Sequence, residues 1–284
     1  MSSARYPREA ATLRLRHRIK RAVHKLLGPD GGVGLYAANA AWRAYRALRY
    51  KPELGIVRHL LQPGDTAIDV GANGADWTRA LSRAVGSNGL VFAFEADPFY
   101  ARATELAIRI LRLRNVRFHA HGLSEAEGVM HLLVRNESGD RLVGVSRLVS
   151  GGTAAVIPGR TVPVSLRRLD DVLSENFEVR QVRLLKVDVE GHELSVLRGS
   201  EEVLKRARPM VVCEVRHADL HGVTKDGLFH WLETRGFVAF GILLRPLAIR
   251  RFGAAAERPD GSAEDVLFVP VERVDTLPAR LLFS

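Results

Sequence analysis

The sequence predicts an α/β fold: a mostly parallel sheet covered by helices on both faces, with a terminal antiparallel pair and a helical N-terminal extension. Three observations carry this. From about residue 54 onward, apolar runs of strand length alternate with amphipathic segments of helix length. A glycine turn follows the first run, and acidic residues close later ones. The excess positive charge sits in the first 60 residues, where 13 Lys and Arg face only Glu9, Asp30 and Glu53, while the remainder is neutral. A basic extension on a balanced domain is a different object from a basic domain.

Composition sets the outer limits. With 284 residues there is room for one large domain, or one plus an appendage. Hydrophobic residues make up 46% and Asp, Glu, Lys and Arg 26%, an ordinary globular mix that excludes a disordered, collagen-like or coiled-coil chain. The single cysteine, Cys213, excludes an internal disulfide and a cysteine-based zinc site, so a reducing compartment is expected. No apolar run reaches the roughly 18 residues of a membrane span. Arg14, Arg16, Arg18, Lys20, Arg21 and Lys25 stand where a secretory signal would be uncharged, which places the protein in the cytoplasm.

The elements follow in order. Over Ala10–Leu27, Leu15, Ile19, Ala22 and Leu26 recur at helical spacing among arginines, a basic amphipathic helix suited either to an anionic membrane surface or to docking on the domain. Gly28-Pro29-Asp30-Gly31-Gly32 stops it, and a second helix is expected over Leu35–Arg49. The extension spans residues 1–53 and the main domain 54–284. Buried strands are expected at Thr66–Val70, Leu90–Ala96, Val116–His121, Arg183–Val189 and Met210–Val215, with helices at Trp77–Val85, Phe99–Leu113 and Glu193–Ala207. A helix at Lys225–Arg235 precedes the antiparallel pair Phe237–Leu244 and Asp265–Val271. The turn-rich stretch Asn136–Thr161 reads as a loop or short hairpin beside the site.

Two clusters carry the chemistry. In the first, Asp69-Val70-Gly71-Ala72-Asn73-Gly74 follows a strand, and Glu95 ends the next one. Open α/β sheets bind ligands beyond the carboxyl ends of their strands, so these residues border the expected cleft. Gly71 lets backbone approach a ligand, and Glu95 is placed to accept hydrogen bonds from ribose hydroxyls. A dinucleotide would rest its pyrophosphate on the following helix N-terminus. There Asp76 adds a negative charge, which favours S-adenosylmethionine, a cofactor with a sulfonium and no phosphate. In the second cluster, Lys186, Asp188 and Glu190 fall on one side of a strand end before Gly191, and charges gathered there need partners or a ligand.

Asp69-Val-Gly-Ala-Asn, Phe94-Glu-Ala-Asp-Pro98, Leu169-Asp-Asp171 and above all Leu185-Lys-Val-Asp-Val-Glu-Gly-His-Glu193 resemble the FkbM-type S-adenosylmethionine-dependent methyltransferases. Leu197-Arg-Gly-Ser200, Arg208-Pro209, Glu214 and Val266-Leu-Phe-Val-Pro270 extend the resemblance over about residues 54–271. It implies a class I methyltransferase (Rossmann-like) sheet of seven strands and methyl transfer to a hydroxyl of a sugar, glycolipid or related natural product. It also implies the methionyl end of the cofactor at Asp69, Gly71 and Asn73, the ribose at Glu95, the adenine near His121, Gly122, Leu123 and Ser124, and Asp188 facing the methyl-transfer centre. The sequence departs from the family at Ala75, where a glycine is usual and here Gly74 precedes it. Either the turn is rebuilt by a shift of one residue or cofactor binding is weakened.

Removal of the hydroxyl proton needs a base. Asp188, His217 and His192 are candidates, with Lys186 keeping Asp188 ionised and therefore weakly basic. A metal held by Asp188, Glu214, His217 and His221 is an alternative that is not adopted. The expected acceptor is a small molecule or glycan, with peripheral membrane contact through residues 10–27. An RNA methyltransferase using the basic arm is disfavoured by 7% aromatic content. A non-catalytic membrane adaptor is the third reading.

Overall fold

The structure, a computed structural model, describes residues 32–47, 51–142, 146–149, 157–174, 182–215, 225–244, 247–252 and 265–283. The helix expected over Ala10–Leu27, and His217 and His221, lie outside the described residues. Helix α1 covers residues 32–46. A 3-10 turn, Pro52–Ile56, leads into α2 (Val57–Leu60), then β1 (Thr66–Val70), α3 (Asp76–Val85), β2 (Leu90–Phe94), α4 (Pro98–Ile110) and β3 (Val116–His119). Four short strands follow: β4 (Gly122–Leu123), β5 (Gly128–Leu133), β6 (Arg147–Val149) and β7 (Thr161–Arg167). The chain continues through α5 (Leu169–Ser174), β8 (Val182–Val187), α6 (Glu193–Arg198), α7 (Glu201–Arg206), β9 (Met210–Glu214) and α8 (Lys225–Glu233). It ends in β10 (Phe237–Leu244), β11 (Leu247–Arg251), β12 (Asp265–Pro270) and further 3-10 turns.

Among the described residues the main sheet has eight strands in the order β11-β10-β12-β9-β8-β1-β2-β3, one more than the seven expected. The strands β9-β8-β1-β2-β3 run parallel, and β12, β10 and β11 are joined antiparallel. The terminal antiparallel pair is thus a trio. Its extra member, Leu247–Arg251, pairs with β10 with Leu247 opposite Leu244. From β1 the chain builds outward through β2 and β3, and β8 then lies on the other flank. That reversal between β1 and β8 opens a crevice beyond their carboxyl ends.

The central strands are apolar throughout because both faces are covered. Every residue of β1 is buried. Ile68, Val70, Leu185 and Val187 pack with α5, α6, α7 and α8 on one face. Ala67, Leu184 and Val212 pack with α2 and α3 on the other. Strand alternation therefore sends Asp69 and Lys186 to the α3 face, where they are buried.

The helix expected over Glu193–Ala207 is broken into α6 and α7. A Cβ on Gly199 would stand 1.9 Å from the Ser124 carbonyl oxygen, so the loop after β4 lies against this break. Sequence reading also missed a second sheet, ordered β4-β7-β5-β6, with its own small core of Leu132, Val134, Leu148, Val164 and Leu166. It takes up part of the stretch read as loop or hairpin. Pro163 is tolerated within β7 because β4 pairs with β7 only at Leu166 and Arg167.

The turn after β1 is kept despite Ala75. Gly74 has φ +88°, and Ala75 also takes the left-handed conformation at φ 68°, ψ 23°. Left-handed backbone costs a residue with a Cβ about 1 kcal/mol or more. Ala75→Gly is accordingly expected to raise stability by up to about 1 kcal/mol, part of the gain being offset by the unfolded-state entropy of glycine. Denaturant unfolding checks this, and unchanged or lower stability would contradict the strain.

Candidate active site

The cleft forms where β1, β2 and β8 end. Gly71 and Ala72 donate backbone N–H bonds to the Phe94 carbonyl, at 3.0 and 2.9 Å, and Asp188 donates its own to the Val70 carbonyl at 3.1 Å. The three strand ends are thereby stitched together. A Cβ on Gly71 would lie 1.9 Å from the Asp188 carbonyl oxygen, and its φ is +84°. The demand for glycine here comes first from the protein's own backbone, not from a ligand as the sequence suggested.

Glu95 is buried at the end of β2, its carboxylate accepting backbone N–H bonds from Asn73 at 3.0 Å and Asp97 at 2.9 Å. Burial outweighs those two bonds and raises its pKa to about 7. Asp97 caps α4 through the Phe99 and Tyr100 N–H groups. It also accepts hydrogen bonds from Arg141 and Ser146. Tyr100 donates to the Leu142 carbonyl at 2.9 Å. These contacts tie the second sheet and its connections over the cleft, so Leu132, Leu148 and Leu166 join its lining.

At the end of β8, Lys186 is buried with its Nζ 3.0 Å from Asp188 Oδ2 and 3.7 Å from Asp69 Oδ1. Burial by itself would lower the lysine's pKa, but the two carboxylates overcome it and hold it above its ordinary value. Burial pulls Asp188 upward, yet Lys186 and a hydrogen bond with Glu214 hold it below the usual carboxylate range. Glu214, on the neighbouring strand, is pushed up by burial and by the Asp188 charge. The pair therefore carries one proton over a wide pH range, on the Glu214 side. Glu190 completes a group with Asp188 and Glu214 whose carboxylate oxygens lie within 4.8 Å of one another. Beneath it, Glu193 is buried and accepts from the Val189 and Gly191 N–H groups.

Of the residues singled out from sequence, Gly71, Asn73, Glu95, His121, Gly122, Leu123, Asp188, Glu190 and His192 line one cleft. Asp69 and Lys186 lie beneath it, Asp69 accepting a 2.6 Å hydrogen bond from Thr78. Ser124 is buried off the cleft, its Oγ 2.9 Å from His192 Nε2. His217 lies outside the described residues. Asp76 is not in the cleft: it pairs with Lys51 at 3.0 Å and Arg43 at 3.9 Å on the α1 side. The charge argument holds on other residues, because among the described residues the lining carries Glu95, Asp97, Asp188 and Glu190 and no lysine or arginine. Such a lining suits sulfonium and ammonium cations and repels a pyrophosphate.

Sequence reasoning named Asp97 only within the Phe94–Pro98 motif, without a role, and missed Tyr100 and the second-sheet leucines. Asp97 before Pro98 was legible as a helix cap, and a cap at this end of β2 must stand beside the cleft. It also missed Tyr36 of α1, whose hydroxyl donates to Asn73 Oδ1 at 3.2 Å. Ala37, Ala40 and Ala41 pack α1 on Ala103 and Ala107 of α4, bringing the described part of the extension onto the turn.

The Methyltransferase FkbM domain description matches residues 69–239, more than half of the chain. The chain belongs to the FkbM methyltransferase family. It is an S-adenosylmethionine-dependent methyltransferase with a class I α/β fold. The chain is similar to the hexuronic acid methyltransferase AglP of Haloferax volcanii, with 29% identity over 204 residues, 69% of this chain and 76% of that one. A tRNA (adenine(58)-N(1))-methyltransferase of Thermus thermophilus is 40% identical over 68 residues, 24% of this chain and 27% of that enzyme. Among solved structures, the FkbM methyltransferase of Methylobacillus flagellatus aligns over 86% of this chain and 60% of that longer one, with a TM-score of 0.46 and 13% identity.

Proposed function

We propose that this FkbM methyltransferase transfers a methyl group to a hydroxyl of a carbohydrate or glycolipid. The observation that carries the reading is Asp188 in the cleft, held ionised by buried Lys186 and flanked by Glu214 and Glu190. Adjacent carboxyl groups of this kind orient a polyhydroxyl acceptor and take up its proton. The similarity to a hexuronic acid methyltransferase supports the carbohydrate class.

The cofactor, when bound, supplies an electrophilic methyl group on sulfur. Glu95 would hold the ribose hydroxyls, Gly71 and Asn73 the methionyl end, and Gly122 and Leu123 the adenine. Asp69 would act through Lys186 and Thr78, and Ser124 through His192. At Asp188 the carboxylate would align the acceptor hydroxyl and receive its proton as the oxygen becomes bonded. His217 is the second candidate for that proton. The apolar cover from Leu132, Leu148 and Leu166 would keep water from competing. The basic segment 10–27 would bring this activity to an anionic membrane surface on the cytoplasmic side.

Transfer of labelled methyl to uronic-acid-bearing oligosaccharides tests the acceptor class. Transfer to RNA with none to saccharides would overturn it. Glu95 is tested separately by titrating S-adenosylhomocysteine between pH 6 and 8. Ionisation of Glu95 near pH 7 is expected to strengthen binding by about tenfold across that range. Glu95→Gln should bind weakly and without this slope; a slope that survives in the variant would remove Glu95 from the ribose site. Without ligand the sign is opposite for folding. The folded protein keeps the Glu95 proton above the ordinary carboxylate pKa, so this group's contribution to stability falls as pH rises through about 7.

A further inference from the structure

A second cavity of about 220 Å³ lies between α1, α2 and α3, apart from the cleft. Its wall from α3 is formed by Asp76, Arg79, Ala80, Arg83 and Ala84, at helical spacing, while Thr78 of the same helix faces Asp69 under the active site. Arg58 of α2 stands opposite, and Ala47, Leu54 and Val57 provide an apolar floor.

The charge there is unbalanced. Arg79 is 7% exposed, and it donates to the Ala44 carbonyl at 3.1 Å and lies over the face of Tyr45, with the guanidinium 5.0 Å from the ring centroid. Burial lowers its pKa and the neighbouring Arg83 charge lowers it further. Among the described residues, no carboxylate lies within ion-pairing distance of Arg58, Arg79 or Arg83. The one acid among the described wall residues, Asp76, is engaged by Lys51 and Arg43 through Oδ2. Its Oδ1 is buried and has no hydrogen-bond partner among the described residues. Arg79 lines this cavity with a backbone carbonyl and a ring face as its neighbours and no carboxylate partner among the described residues, and an arginine fork matches phosphate. The Asp76 oxygen needs a hydroxyl donor.

We propose that this cavity binds a phosphate ester with a neighbouring hydroxyl, of the glycerophosphate type, with the apolar floor taking the first carbons of a lipid. Arg79 would form the buried contact, Arg58 and Arg83 the rim contacts, and Asp76 Oδ1 would accept from the hydroxyl. This site is independent of the methyl acceptor and does not rest on its assignment.

Calorimetric titration of the full chain with glycerol 3-phosphate and with soluble dihexanoyl phosphatidylglycerol tests it. Both are expected to bind saturably, and the short-chain lipid about tenfold or more tighter if the source is a lipid headgroup. Equal affinities would assign the site to the free ester. Arg58→Gln with Arg83→Gln, both exposed positions, should weaken binding by about tenfold or more, and Ala84→Leu should weaken it by narrowing the cavity with no change of charge. Melting temperature confirms that the variants fold. Absence of saturable binding, or variants that bind as wild type does, would overturn the proposal. So would an equal loss in Arg109→Gln, a distant exposed arginine paired with Glu105.

Discussion

Lys186→Met is expected to destabilise the protein by about 3–5 kcal/mol, the cost of leaving a buried charge without its partner. The lysine is 1% exposed and stands between Asp69, which is fully buried, and Asp188. Methionine fills a similar volume but gives Asp69 only the Thr78 hydroxyl. Burial already holds the Asp69 pKa above its ordinary value against the pull of Lys186. Without the lysine that rise grows, so folded Asp69 holds its proton to a higher pH than in the wild type. The unfolded chain still releases that proton near pH 4, so the penalty is largest at neutral and alkaline pH and narrows as pH falls toward 4. Urea unfolding at pH 4.5 and 7.5 measures both parts. Asp69→Asn in the Lys186→Met background should recover part of the loss at pH 7.5. A uniform loss at both pH values would mean that packing, not charge, is what Lys186 supplies.

The strands were legible because burial on both faces leaves little room for polar residues, as in Thr66–Val70 and Met210–Glu214. The same condition made Asp69 and Lys186 stand out, since a charge within such a run must be paired. The second sheet was hidden for the opposite reason. In Thr161–Arg167 only Val164 and Leu166 are buried, and Pro163 within the run reads as a breaker, though Val162, Val164 and Leu166 do alternate. Long-range pairings were also silent. Tyr36 meets Asn73 across 37 residues, and Asp76 is drawn toward Lys51 and Arg43 by an extension whose docking no local pattern announces. The preference for a sulfonium cofactor thus followed from the charge near the turn, while the carboxylates that actually face the cleft are Glu95, Asp97, Asp188 and Glu190.

Asp188→Asn is expected to lower kcat by about 10²–10⁴, the usual worth of a positioned proton acceptor. The amide is nearly isosteric, and its oxygen can still accept from Lys186, so the fold should be retained. S-adenosylhomocysteine should bind within about threefold of wild type if Asp188 serves the acceptor hydroxyl. Loss of that binding would instead make Asp188 a cofactor anchor, and unchanged turnover would move the proton acceptor elsewhere, with His217 next. The pH profile separates a chemical role from a structural one. Lys186 keeps Asp188 ionised below the ordinary carboxylate range, so no acid limb from this residue should appear above about pH 4. Glu214 holds its proton well above that range because it is buried and Asp188 is charged beside it. Asp188→Asn removes that charge, so Glu214 should ionise at lower pH and an alkaline change in rate governed by it should move downward. Glu214→Gln, which cannot titrate, should abolish the alkaline change while leaving Asp188 paired with Lys186. An alkaline limb that stays in place in both variants would detach the Asp188 and Glu214 pair from the rate-determining proton transfer.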